Sequence, residues 1–163
     1  ISITDNLVLD AGSLNKTTLS SYEEGIFTPH FGECEDLFNF PHQDPPFTSI
    51  NKQFIEFIQN TINNKQVIIL KGPSTFIITK NNIYIMDKGP SILATAGTGD
   101  VRSGILVSLL SQGYSRLEAS ILGTYLHAEA ANYYMNNISN DGLTASDLID
   151  CIPLAFNKLR ENA

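Results

Sequence analysis

The sequence has no tryptophan, two cysteines in 163 residues, and 10 basic residues against 17 acidic ones. Cys34 and Cys151 form no C-x-x-C pair, so neither a disulfide framework nor zinc-ligand spacing is indicated, and a reducing interior is expected. The net charge of −7 argues against a general nucleic-acid surface, because phosphate backbones are bound mainly by lysine and arginine.

Long apolar runs are also lacking. No run approaches the ~20 residues that span a bilayer, and the first residues show no charged leader before an apolar stretch. We therefore expect no membrane segment and a cytoplasmic location. The Gly-x-Ser-x-Gly elbow of hydrolases and the Walker phosphate loop are absent as well. What remains is an ordinary globular composition, 42% apolar and 17% charged, in a length that fits one domain.

Apolar runs and helical spacings alternate along the first half of the chain, and helical patterns dominate the second half. This order predicts an α/β domain with a mostly parallel sheet and helices on its faces. The predicted strands are 7–9, 26–28 and 67–70, with a hairpin of 75–79 and 83–86; a loop covers 39–50; the predicted helices are 51–64, 100–111 and 115–135, with a last helix from Thr144 that Pro153 bends or restarts.

The segment Gly97-Thr98-Gly99-Asp100 directly precedes a strongly apolar helix. Glycines allow a close approach of ligand to backbone, and the free amides and dipole of a helix start favour phosphate. Asp100 could accept a proton from a hydroxyl that attacks phosphorus. The alternative is a plain glycine turn with Asp100 as the helix cap, since so short a motif is a weak signal.

Two further segments follow predicted strands, at the sheet edge where α/β proteins bind ligands. Lys71-Gly72-Pro73-Ser74-Thr75 offers a cation and small, hydroxylated neighbours, which suit a nucleotide. His30, after the strand ending at Thr28, could hydrogen-bond a substrate. A solvated lysine and a surface histidine are the alternatives, and we interpret His127 as structural.

Taken in order, these segments resemble the ADP/ATP-dependent NAD(P)H-hydrate dehydratase family, a branch of the ribokinase-like superfamily. The resemblance rests on Leu7-Val8-Leu9-Asp10-Ala11-Gly12-Ser13-Leu14-Asn15, Thr28-Pro29-His30-Phe31-Gly32-Glu33, Leu70 through Thr75, Ala94 through Gly104, Tyr125-Leu126-His127 and Ala145-Ser146-Asp147-Leu148-Ile149. It implies a ribokinase-like three-layer α/β/α domain. The histidine and lysine motifs together point to the dehydratases, whereas the Gly97–Asp100 motif is shared by many ribokinase-like kinases.

The resemblance implies a repair activity, in which hydrated NADH or NADPH is phosphorylated on the ring hydroxyl at the expense of ADP or ATP and phosphate is then eliminated. It assigns Asp100 as the base that also contacts the substrate, and His30 as a substrate contact. Gly97, Thr98 and Gly99 would hold the transferring phosphoryl group and Lys71–Thr75 the adenine nucleotide. Mg²⁺ would bridge phosphates, although no metal ligand is identified in this sequence. The family also implies a homo-oligomer.

The chain departs from the family pattern at Gly12, where an aspartate is usual, at Phe31, where proline is usual, and at Arg102, where an apolar residue is usual. Arg102 would either add a phosphate contact or face solvent. Family domains also begin well upstream, so we expect the N-terminal strands of the domain to be missing from these 163 residues.

Two other functions remain open at this point. One is a small-molecule kinase of the same superfamily, of the vitamin-precursor type, which would use Asp100 in the same way. The other is a nucleotide-binding domain without catalytic activity.

Overall fold

The computed structural model describes residues 7–39, 50–87 and 89–161, so most of the loop predicted over 39–50 lies outside the described residues. The strands are β1 (Val8–Leu9), β2 (Gly25–Phe27), β3 (Gln66–Leu70), β4 (Thr75–Ile78) and β5 (Ile83–Met86). The helices are α1 (Thr18–Ser21), α2 (Phe31–Phe38), α3 (Lys52–Thr61), α4 (Thr98–Ser111), α5 (Arg116–Asn137) and α6 (Ala145–Glu161), with short 3-10 turns at Ala11–Ser13 and Ser91–Leu93.

The five strands form one sheet in the order β1-β2-β3-β4-β5. The first three strands run parallel, and β3, β4 and β5 pair antiparallel. The α/β prediction and the predicted hairpin are confirmed, and the sheet is mixed. The reason lies in the connections, because the short turn between β4 and β5 can join only antiparallel strands, whereas a parallel pair needs a crossover of a dozen or more residues.

Both faces of the sheet are covered, which gives the expected three layers. All of β3 is buried, and its side chains alternate between the two faces. Val67 and Ile69 pack in a cluster with α4, α5 and α6, whereas Ile68 and Leu70 pack in a second cluster with α2 and α3. A continuous apolar run is what a strand needs when it is buried on both sides.

The helix boundaries follow from their caps. Gly97, at a φ of 86°, precedes α4, and Ser115 with Glu118 forms a capping box at the start of α5. α6 is one helix that continues through Pro153, so no restart occurs there. Within the described part of the chain, no helix combines the length and apolar character required to span a membrane.

Candidate functional site

Three strand ends meet at one edge of the sheet. Asp10 follows β1, His30 follows β2 and Lys71 follows β3. His30 and Lys71 form a parallel bridge beyond the strands, and the Lys71 N–H donates to the Pro29 carbonyl at 2.8 Å. Parallel pairing therefore brings together two motifs that lie 41 positions apart in the sequence.

The Lys71 ammonium group is engaged with carboxylates of its own chain. It donates to Asp10 Oδ1 at 2.8 Å and lies 3.4 Å from Glu33 Oε2. Burial would raise the pKa of Asp10, but the hydrogen bond and charge of Lys71 outweigh it, so the pKa of Asp10 is lowered. Asp10 is consequently a stable anion at this edge, and Lys71 compensates its charge.

Asp10 also connects the strand ends to the start of α4. Its Oδ2 accepts from the Ser103 hydroxyl at 3.0 Å, and a Cβ added to Gly99 would lie 3.7 Å from the same oxygen. The carboxylate of Asp10 is thus shared between Lys71 and the first turns of α4. This contact joins the lysine motif to the glycine motif.

The turn before α4 is fixed by buried polar contacts. The Thr98 hydroxyl donates to the Leu93 carbonyl at 2.7 Å, and the Thr98 carbonyl accepts from His127 Nε2 at 2.8 Å. The N–H groups of Gly99 and Asp100 precede the first α-helical hydrogen bond, which runs from Val101 to Gly97. Such amides at a helix start are donors suited to an anion, whereas the Thr98 side chain is used to hold the turn.

His127 keeps its predicted structural role. Burial, together with the nearby charge of Arg102, lowers the pKa of His127 to about 4, although the contact with the Thr98 carbonyl opposes this shift. The ring is therefore neutral near pH 7 with its proton on Nε2, the nitrogen that donates to Thr98. His127 positions the Gly97–Asp100 turn from the side of α5.

Asp100 is exposed at the first turn of α4. It lines one end of an open groove of about 630 Å³ between α4 and α6, where Gly97 and Ala145 are its neighbours. Apolar side chains such as Ile149 and Phe156 form the rest of that groove. A carboxylate in this position is accessible to the hydroxyl of a ligand bound at the helix start.

In the segment Lys71–Thr75, Ser74 contacts a carboxylate other than those that bind Lys71. The Ser74 hydroxyl donates to Asp87 Oδ1 at 3.1 Å, and Thr75 begins β4. Gly72 allows this loop to turn tightly, since a Cβ there would lie 3.2 Å from the Ser74 carbonyl oxygen. Within this segment, only Lys71 is linked to the start of α4, through Asp10, which also accepts from Ser103.

His30 is the cap of α2. Its Nδ1 accepts from the Glu33 N–H at 3.1 Å, and its own N–H donates to Glu33 Oε2 at 2.7 Å. The ring is 58% exposed, so the cap leaves Nε2 at the surface. His30 thus combines a structural bond with an accessible ring nitrogen.

The structure assembles Asp10, Glu33 and Ser103 beside the predicted residues, and sequence reasoning did not select any of the three. Asp10 and Glu33 carried a usable signal, because each lies directly after or within one turn of a predicted strand end. Ser103 carried none, since a serine one turn into a helix is common. No group of three or more His, Cys, Asp or Glu side chains within residues 7–39, 50–87 and 89–161 is arranged to hold a metal ion.

Comparison with known proteins gives concordant results. The family model for NAD(P)H-hydrate dehydratase matches residues 2–154. An ADP-dependent (S)-NAD(P)H-hydrate dehydratase of Bacillus subtilis is 30% identical over 155 residues, which are 93% of this chain and 54% of that protein. A bifunctional NAD(P)H-hydrate repair enzyme of Dictyoglomus turgidum is 35% identical over 94% of this chain and 30% of that protein.

Among solved structures, the ADP/ATP-dependent NAD(P)H-hydrate dehydratase of Bacillus subtilis, co-crystallised with ATP/Mg²⁺ and soaked with CoA, superposes with a TM-score of 0.75 at 27% identity. That match covers 93% of this chain and 55% of the solved one. The chain spans about half the length, or less, of these three relatives. On the family match over residues 2–154, the chain belongs to the NAD(P)H-hydrate dehydratase family.

Proposed function

We propose that this chain contributes the catalytic base and phosphate-binding turn for the ADP- or ATP-dependent dehydration of hydrated NADH or NADPH. The observation that carries the proposal is the position of Asp100, an exposed carboxylate beside the Gly99 and Asp100 amides at the start of α4. The relatives named for this reaction support the choice of substrate.

In the first step, the ring hydroxyl of the hydrated dinucleotide attacks the terminal phosphorus of ADP or ATP, and Asp100 takes the hydroxyl proton. A new oxygen–phosphorus bond forms as the bond to the leaving AMP or ADP breaks. The amides at the helix start stabilise the charge on the transferring phosphoryl group, which is an electrostatic contribution.

In the second step, the ring carbon–oxygen bond breaks and phosphate leaves. A proton is lost from the neighbouring carbon, so the ring double bond of NADH or NADPH is restored. The products are the repaired dinucleotide, inorganic phosphate and AMP or ADP.

The other predicted residues would position the two ligands. We assign Lys71 through Thr75 to the adenine nucleotide and His30 to the dinucleotide, since both lie at the same sheet edge. Because Lys71 is held by Asp10 and Glu33, its effect on a bound phosphate would be that of a fixed nearby charge.

The carboxylates at this edge do not fit the Mg²⁺ that the family resemblance implies. Asp10 and Glu33 are both paired with the Lys71 ammonium group, so a metal ion would have to displace that cation. Mg²⁺ usually keeps several waters and binds phosphate oxygens, and no residue of this chain is assigned to it.

The test is to incubate the protein with hydrated NADH and either ADP or ATP and to follow recovery of the NADH absorbance band. We expect recovery, and we expect Asp100→Asn to reduce the rate by at least ~100-fold, because a positioned base contributes about 10²–10⁴-fold. Asp36→Asn, an exposed carboxylate on α2 across the sheet from α4, is the matched control and should retain the rate.

Two outcomes would contradict the proposal. A phosphorylated substrate without recovery of NADH would indicate a small-molecule kinase. Binding of nucleotide without either reaction would indicate a nucleotide-binding domain without catalytic activity.

A further inference from the structure

Arg102 is buried, and no partner for its guanidinium lies within the described ranges. Its residue surface is 5% exposed, so it does not face solvent, which was one of the two outcomes expected from the sequence. Its Nε is shielded from water and has no hydrogen-bond partner among the described residues. No ion pair among those residues includes Arg102 either. A buried guanidinium without a partner is costly, which calls for an explanation.

Its position in α4 adds to this cost. Arg102 is the fifth residue of the helix, and the positive end of a helix dipole disfavours a cation there. Thr98 and Gly99 lie four and three positions before Arg102, and side chains of a helix lean toward its N-terminus, so Arg102 shares the helix face of these two residues. Burial lowers the pKa of Arg102, and the charges of Asp10 and Glu33 oppose this shift. The next residue, Ser103, donates to Asp10 Oδ2 at 3.0 Å, so this turn of α4 adjoins the sheet edge described above.

The two carboxylates do not satisfy Arg102. Asp10 accepts from Lys71, Ser103 and the Ala11 N–H, and Glu33 accepts from the His30 N–H and lies 3.4 Å from Lys71. Lys71 is therefore the cation that neutralises them at contact distance. Among the described residues, the Arg102 Nε donor thus stays without a partner, in the helix whose first turn carries the free amides of Gly99 and Asp100.

We propose that Arg102 binds a phosphate group held at the amino end of α4. Guanidinium and phosphate match in a two-pronged hydrogen bond, and the anion would at once remove the unpaired charge and satisfy the helix amides. The inference rests on the proposed function for the identity of the ligands, since an adenine nucleotide or the pyrophosphate bridge of a dinucleotide could supply this phosphate.

The experiment measures dissociation constants of ADP, ATP, NADH and adenosine by calorimetry for the wild-type protein, Arg102→Leu and Arg102→Lys. We expect Arg102→Leu to raise the dissociation constants of the phosphate-bearing ligands by ~10–100-fold and that of adenosine by less than about twofold. The dissociation constants of Arg102→Lys should fall between those of the wild type and Arg102→Leu, because lysine keeps the charge without the planar guanidinium group. Loss of affinity for ADP and ATP alone assigns the phosphate to the nucleotide, and loss of affinity for NADH alone assigns it to the dinucleotide. Either result supports the proposal.

The melting temperature without ligand gives an independent readout. Replacing an unpaired buried charge by leucine should raise it by roughly 2–4 °C, whereas loss of a structural contact would lower it. Should Arg102→Leu fail to fold, Arg102→Gln carries the same binding expectation.

Unchanged affinity for ADP, ATP and NADH would overturn the proposal, as would equal weakening of adenosine together with a lower melting temperature. Absence of any ADP, ATP or NADH binding by the wild type would overturn it too. Dehydration is not the readout, so loss of phosphate affinity in a protein that does not dehydrate its substrate would refute the proposed function and leave this assignment in place.

Discussion

At the scale of single residues, the site depends on where protons and charges are held. His127 is neutral because its ring is buried beside Arg102, and its one proton is committed to the Thr98 carbonyl. Protonation of the second ring nitrogen would place another cation next to Arg102. The turn that carries Asp100 is thus supported by an uncharged histidine.

This arrangement predicts a pH dependence of stability. The pKa of His127 is about 4 in the folded chain and ordinarily about 6.5 in an unfolded one, so the unfolded chain takes up the proton first as the pH falls. His127 should therefore lower the free energy of unfolding by roughly 2 kcal/mol as the pH falls from 7 to 5. Urea unfolding at both pH values should show a smaller drop for His127→Gln than for the wild type.

Gln112→Ala, which alters an exposed side chain and removes no titratable group, provides the control and should leave the drop between the two pH values unchanged. An equal drop in His127→Gln and the wild type would refute the assignment of a depressed pKa to His127.

A second residue prediction concerns Lys71, whose side chain is 23% exposed between the carboxylates of Asp10 and Glu33. Lys71→Met leaves both carboxylates uncompensated and should lower the free energy of unfolding by about 2 kcal/mol. Lys52, 88% exposed and paired with Glu56, is the matched surface case. Lys52→Met should change stability by less than ~0.5 kcal/mol in the same denaturation experiment, and equal losses would contradict the expected difference.

Some residues of this site could be predicted from the sequence and others could not. His30 and Lys71 follow strands and could be placed at one edge by a general rule of α/β sheets. Their engagement with Glu33 and Asp10 could not be predicted, because it depends on side-chain packing between distant segments. The burial of Arg102 was equally out of reach, since an arginine in a helix is usually at the surface.

At the scale of elements, α6 shows why a proline need not end a helix. Pro153 removes one hydrogen bond donor, which would serve the Ile149 carbonyl, and the sequence therefore predicts a bend or restart. Both residues lie on the exposed side of the helix, where water can satisfy that carbonyl. The opposite side packs on α5 through Leu148, Cys151 and Ala155, so packing keeps the helix continuous.

The contact between α4 and α5 gives a prediction at this scale. Both helices contain an interior glycine, and alanine is favoured there by about 0.5–1 kcal/mol. A Cβ at Gly104 meets nothing within 4 Å, so Gly104→Ala should gain that amount of stability. A Cβ at Gly123 would lie 2.8 Å from Cδ2 of the fully buried Leu106, so Gly123→Ala should lose about 1–3 kcal/mol.

Chemical denaturation of the two alanine variants measures the difference directly. A gain of stability in both would show that Leu106 moves aside at no cost, and the tight α4–α5 contact would then not matter for stability.

At the scale of the whole molecule, one sheet serves two apolar clusters. Ile68 and Ile69 are adjacent, both fully buried, and belong to opposite clusters. If the layers form a single cooperative unit, Ile68→Ala and Ile69→Ala should each cost about 2–5 kcal/mol and shift the same unfolding transition. Far-ultraviolet circular dichroism and tyrosine fluorescence should report coincident midpoints, and separate transitions in either variant would contradict a single domain.

The overall architecture was more predictable than the site. Apolar runs and the order of helices and strands sufficed for the α/β class, and the short turn at 80–82 for the hairpin. The antiparallel pairing of β3 with β4 follows from their connection too, because residues 71–74 are too few for a parallel crossover. The register that buries Ile77 and Ile78 against β3 was less accessible, because it depends on packing between strands.

The bridge between His30 and Lys71 is the last rung of the parallel ladder between β2 and β3. A one-residue slip of either strand would separate the two side chains and turn every buried residue of that strand to the opposite face. A ligand that contacts both His30 and Lys71 would thus bind only chains whose strands keep this alignment. By mass action it would stabilise that alignment over every shifted one, so the same ligand would increase the fraction of correctly folded chains.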